Sequence, residues 1–76
     1  MKRESKSVLQ IKFGDRVRKY RKLLGLSQEQ LALACNLDRT YIGGVERGER
    51  NISLLNIHRL ASALNLQPSE LLKDDD

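Results

Sequence analysis

The sequence predicts an all-α fold of five short helices, and three observations carry that reading. Apolar residues recur at helical spacing, capping residues punctuate the chain at short intervals, and strand-like alternation is nearly absent. Seventy-six residues give room for one domain, taken as 1–76 with its core at about 13–72. A core of that size is marginal, because a short chain buries a smaller share of its surface. Pairing with a second copy is one common remedy.

Phe13, Val17, Tyr20 and Leu24 form an amphipathic stripe, which predicts a first helix from about Ile11 to Leu24. Gly25 follows where a left-handed residue stops a helix. Ser27-Gln-Glu-Gln30 has the pattern of a capping box and opens a second helix, Gln28 to Cys35. Leu31, Ala32 and Cys35 face inward, Asn36 is the stop, and Leu37 is the apolar plug of a tight turn. Asp38 caps a third helix, Arg39 to Arg47, with Ile42 and Val45 inward and Gly48 at its end. After a loop at Glu49 to Ile52, Ser53 caps a fourth helix, Leu54 to Leu64, striped by Ile57, Leu60, Ala61 and Leu64. Asn65 stops it. Pro68 suits the first turn of a last helix reaching about Lys73. Asp74 to Asp76 stand at the wrong end of that helix's dipole. The ends, 1–8 and 74–76, are therefore expected to be loose.

The charge is unevenly spread. Met1 to Arg50 holds twelve Lys or Arg against six Asp or Glu, whereas Asn51 to Asp76 holds two against four. A basic N-terminal two thirds suits a polyanion partner, though a solvated charged surface would look the same. No apolar run approaches the roughly 20 residues of a membrane span. Val8-Leu9 is broken by Gln10 and Lys12, so no secretory signal is seen and a cytoplasmic location is expected.

Catalytic and metal chemistry find no support. Cys35 stands alone, without a CxxC or Cys/His cluster, and reads as a small buried core residue. His58 has no second ligand nearby and reads as a surface or interface residue. No nucleophile–base pair, HExxH or P-loop occurs. Neither an enzyme nor a cofactor is expected.

The informative feature is the helix pair within 28–47. Two short helices joined by a tight turn make a helix-turn-helix, whose second helix fits the roughly 12 Å major groove. Arg39, Thr40, Gly43, Gly44 and Arg47 lie on its outer face. The adjacent glycines are costly in a helix, about 1 kcal/mol each relative to alanine. They read either as close approach of the helix backbone to the groove or to the second helix, or as a tolerated surface choice.

The segment "GLSQEQLALACNLDRTYIGGVERGERNISLLNIHRLASALNL" resembles the phage-repressor-type (Cro and XRE) helix-turn-helix domain. The fold implied is the five-helix, lambda-repressor-like DNA-binding domain. Within that family "LDRTYIGGVERGERNISL" is similar to the controller proteins of restriction–modification systems. The resemblance implies a transcriptional regulator that binds double-stranded DNA as a homodimer on a near-palindromic operator. RNA polymerase is a further candidate partner on the same ground. An antitoxin-type protein, binding a toxin and its own promoter, is the alternative. Such proteins usually carry an added toxin-binding segment, and little here lies outside the motif.

The resemblance also implies roles for single residues. Gln28 matches a phosphate contact at a helix N-terminus, with a solvated polar residue as the plain alternative. Arg39 and Thr40 match base contacts. Arg suits guanine O6 and N7, and Thr offers a hydroxyl and a methyl. Tyr41 is either a phosphate donor or a core-edge aromatic. Arg47 and Arg50 are candidates for phosphate or base edges, Arg50 matching a base-reading loop residue; Asn51 is a weaker candidate. Glu46 would be repelled by phosphate, and the family pairs its position with a helix 1 cation, here Arg21. The remaining helix 1 cations read mostly as a solvated face. Leu55, Leu66, Leu71 and Leu72 exceed what the inward stripe needs and are expected to form the dimer interface.

Overall fold

The computed structural model describes residues 7–73, and these build five helices with no strand among them. They are α1 (Val8–Leu23), α2 (Gln28–Cys35), α3 (Arg39–Glu46), α4 (Leu54–Ala63) and α5 (Pro68–Leu72). The ends 1–6 and 74–76, expected to be loose, lie outside the described residues.

The helix starts follow from side-chain caps. α1 begins at Val8 rather than Ile11, because the Ser7 hydroxyl accepts the Gln10 amide at 3.0 Å. Ser7 and Val8 are thus ordered in the helix start, against the expectation of a loose end to residue 8. At α2 the capping box is complete. Ser27 Oγ accepts the Gln30 amide at 3.0 Å, and Gln30 Oε1 accepts the Ser27 amide at 2.8 Å. Ser53 caps α4 through the Asn56 amide at 3.2 Å. Asp38 departs from expectation, since it holds the N-cap position of α3 without a side-chain cap bond. The helix stops lie where left-handed backbone is adopted, at Gly25, Asn36, Gly48 and Asn65, with φ between 58° and 78°.

The core takes one fully buried side chain or more from every helix: Val17, Leu31, Ile42, Val45, Leu60 and Leu71. Phe13, Ala32, Cys35, Ala61 and Leu64 complete it, and Tyr20, Leu37, Ile57 and Leu66 pack against it. The stripe of α1 ends at Tyr20. Leu24, expected in it, lies past the helix and is 47% exposed. Cys35 is a core residue whose thiol donates to the Leu31 carbonyl at 3.1 Å, and burial pushes its pKa up.

Leu71 corrects the expected dimer surface. It is 1% exposed and belongs to the core, while Leu72 beside it is 59% exposed. A five-residue helix turns adjacent side chains about 100° apart, so only one of the pair can face inward. Arg16 is another departure. It is buried, not solvated, and its Nε donates to the Glu70 carbonyl at 2.9 Å, tying α1 to α5.

The crossing of α1 on α3 depends on Gly14. An alanine Cβ there would lie 2.9 Å from the Glu46 carbonyl oxygen and closer still to that of Val45. Both neighbours are main-chain atoms, which cannot rotate away. Helix propensity alone favours Gly14→Ala by about 1 kcal/mol, whereas overpacking costs about 1–3 kcal/mol or more. Packing should win: thermal unfolding of Gly14→Ala is expected several degrees below the parent, and an equal or higher Tm would refute the close crossing.

Candidate nucleic-acid interface

Glu46 organises the surface. It is the last residue of α3, is 3% exposed, and its carboxylate is bound from two other helices. Arg21 of α1 approaches side-on, Nε to Oε2 at 2.6 Å and Nη2 to Oε1 at 3.0 Å. This two-point geometry suits guanidinium and carboxylate. The hydrogen bond to Glu46 holds the Arg21 pKa above its ordinary value against the opposing effect of burial. The same guanidinium donates through Nη1 to the Leu26 carbonyl at 2.8 Å, fixing the turn before α2.

Two further groups meet Glu46. Gln28, the first residue of α2, donates from Nε2 to Oε1 at 3.0 Å. Arg18 brings Nε to 3.7 Å from Oε1 and donates from Nη2 to the Glu46 main-chain carbonyl at 3.0 Å. One carboxylate therefore sets α1, the start of α2 and the end of α3 in fixed relation. Sequence reasoning paired Arg21 with Glu46 but missed Arg18 and the Gln28 bridge. The signal for Arg18 was present, since it lies one turn from Arg21 along the same helix.

α3 presents its outer face on that frame. Arg39 and Thr40 at its start are exposed, as are Arg47, Arg50 and Asn51 around its end. Arg47 Nε lies 3.1 Å from Glu49 Oε2 in a pair that is largely exposed on both sides. Such a pair contributes about 0–1 kcal/mol and is readily exchanged for another anion.

Gly43 and Gly44, expected on the outer face, are buried, and arginine side chains cover them. A Cβ on Gly44 would lie 2.8 Å from Arg50 Nε and 3.2 Å from its Cγ; one on Gly43 would lie 3.1 Å from Arg47 Nη1. Close approach thus surrounds the pair, to arginines of the same surface and, at Gly43, also to α2 through Gln28 Oε1 at 3.7 Å. Arg50 is held on its other side by Tyr41, with its guanidinium carbon 5.3 Å from the ring centroid. The Tyr41 hydroxyl accepts from Asn56 Nδ2 at 3.3 Å, which anchors the ring to α4. Tyr41, half-buried, is therefore a core-edge aromatic and a platform for Arg50 at once.

The helix-turn-helix family pattern matches residues 17–71 of this chain. Control protein C.BamHI of Bacillus amyloliquefaciens is 48% identical over 65 residues, which span 84% of this chain and 80% of that protein. The chain belongs to the helix-turn-helix family. The crystal structure of the restriction–modification controller protein C.AhdI from Aeromonas hydrophila matches it at 58% identity with a TM-score of 0.80, covering 82% of this chain and 94% of that one. The controller protein C.Esp1396I, solved as a tetramer in complex with its natural 35 base-pair operator, matches at 34% identity and TM-score 0.77, over 90% and 100% of the two chains. These relatives place the chain among the family's control proteins. No helix among the described residues is long and apolar enough to cross a membrane.

Removing either partner from the Arg21–Glu46 pair strands a buried charge, at a cost of about 3–5 kcal/mol. Arg21→Ala and Glu46→Ala should each lower the unfolding midpoint in denaturant by that measure. Parent-like midpoints for both would mean that the pair does not hold the helices together.

Proposed function

We propose that the protein is a sequence-specific double-stranded DNA-binding regulator of transcription, a controller of a restriction–modification system. The observation that carries this is the exposed arginine-rich face of α3, held by a buried carboxylate in a chain whose relatives are control proteins. They favour this reading over the antitoxin alternative. In this reading the protein works in the cytoplasm, where its DNA is, and makes no covalent change to it. Activation at a promoter would add contact with RNA polymerase.

The residue roles divide by geometry. Arg39 and Thr40, at the start of α3, project towards base edges in the major groove. Arg50 reads bases from its platform on Tyr41 and Gly44, with Asn51 beside it. Arg47 exchanges Glu49 for a phosphate. The side-chain nitrogen of Gln28 is committed to Glu46, so its phosphate contact rests on the main-chain amide that opens α2.

The active species is a homodimer. Leu55 and Leu72 are 61% and 59% exposed, and Leu72 lines a groove with Leu9, Ile52 and Ile57. Leu66 packs against the core and contributes less than expected, and Leu71 contributes nothing. A two-fold pair would set two α3 helices about 34 Å apart, one turn of DNA, and so read a near-palindromic site.

Two measurements test this. Affinity for an operator selected from random duplex should fall steeply with salt, and Arg39→Ala should lose about 1–3 kcal/mol on that operator and far less on scrambled duplex. An unchanged specificity ratio would move base reading away from Arg39. Sedimentation of the parent at tens of micromolar should give a dimer, and Leu55→Glu with Leu72→Glu should give a folded monomer. A parent that stays monomeric, with or without DNA, would rule out the dimer.

A further inference from the structure

Asn56 stands in the first turn of α4, outside the α2–α3 pair. Its main-chain amide donates to the Ser53 hydroxyl at 3.2 Å and so completes the cap of α4. The side chain is not needed for that start. It donates instead from Nδ2 to the Tyr41 hydroxyl at 3.3 Å, reaching back to the recognition helix.

Tyr41 needs such a hold. Its ring is half-buried and borders an open groove of about 520 Å³, shared with Asn36, Leu37, Asp38 and Asn56. Packing alone leaves the ring room to turn. The Arg50 guanidinium carbon lies 5.3 Å from the ring centroid, and its stem runs over Gly44, where no Cβ pushes it away. Cation–π attraction depends on ring orientation, because the negative charge of the quadrupole is on the ring face. A ring that swings into the groove therefore releases the guanidinium.

We propose that Asn56 is a positioning residue for DNA recognition: it fixes the Tyr41 ring, and the ring holds Arg50 ready for a base edge. This rests on the reading of Arg50 as a base reader. It extends the recognition surface to a residue of α4 that touches no DNA itself.

Asn56→Ala removes the anchor and spares α4, since alanine has the higher helix propensity and the Ser53 cap bonds the main chain. Its melting and sedimentation should match the parent; loss of the fold or of the parent's oligomeric state would make the residue structural and overturn the proposal. In the DNA-free protein the Arg50 Nε–H should show a high heteronuclear NOE by NMR, and Asn56→Ala should lower it. An unchanged NOE overturns the proposal and leaves base reading by Arg50 intact. On an operator selected from random duplex, at one fixed salt, Arg50→Ala should lose roughly 5- to 150-fold in affinity. Asn56→Ala should lose about threefold or more, a share of the rotamer freedom that a loose arginine gives up on binding. The decisive comparison is between backgrounds. Asn56→Ala should cost almost nothing once Arg50 is replaced by alanine, and its full factor when Arg39 is replaced instead. An equal cost in both backgrounds would report a general loss and overturn the proposal. Should Arg50→Ala itself cost nothing, the positioning role falls with the reading of Arg50, while binding through Arg39 stands.

Discussion

A carboxylate that is almost wholly buried must be surrounded by donors, and Glu46 imposes that condition on three helices at once. Arg21, Gln28 and Arg18 satisfy it, and together they tie α1, α2 and α3 to one group. The crossing of α2 and α3 decides which face α3 presents, and the Gln28–Glu46 bond ties the start of one to the end of the other. Apolar packing in a domain this small is non-directional and would tolerate some slippage. Glu46 removes that freedom because its bonds are directional. Gly14 makes the same demand from the other side, since the α1 backbone must come close to the carbonyls of Val45 and Glu46.

The glycine pair in α3 is the counterpart of that rigidity. A side chain at Gly44 would push Arg50 off the helix and away from Tyr41. A free arginine on a loop loses about 2 kcal/mol of rotamer freedom when it binds. One already laid along a helix and stacked on an anchored ring has lost part of it in folding. The glycines weaken α3 locally, and the frame around Glu46 supplies the stability that allows this. Local helix propensity is given up where a contact surface gains order.

How much of this was legible in the sequence depended on the range of the interaction. Stops and caps are local, so Gly25, Asn36, Gly48, Asn65, Ser27 and Ser53 were readable from neighbours alone. Asp38 looked the same and failed, because a cap residue's type permits the bond without requiring it. Leu71 and Leu72 could not be told apart, since five residues are too few to show a period. Gly14 and Arg16 carry no local signal at all. Their roles arise only when α3 and α5 are brought against α1. The resemblance supplied Arg21 with Glu46, but not Gln28, because one short polar residue at a helix start has several satisfactory partners.

The charge map changes meaning once the fold is known. The basic surplus of the first fifty residues suited a polyanion partner or a solvated surface alike, and its cations divide among different tasks. Arg21 is spent on Glu46 and Arg16 on the Glu70 carbonyl, and both are largely buried. Arg18 is half committed to the same carboxylate. Lys12 and Lys19 face the side shared with α5. Among the described residues, the cations left on the α3 face are Arg39, Arg47 and Arg50. Counterion release counts only phosphates actually neutralised, about 0.9 in log–log slope for each. A salt slope read from net charge would therefore overstate the contacts. The positive charge needed to build the frame is distinct from the positive charge available for binding, and only the structure separates the two.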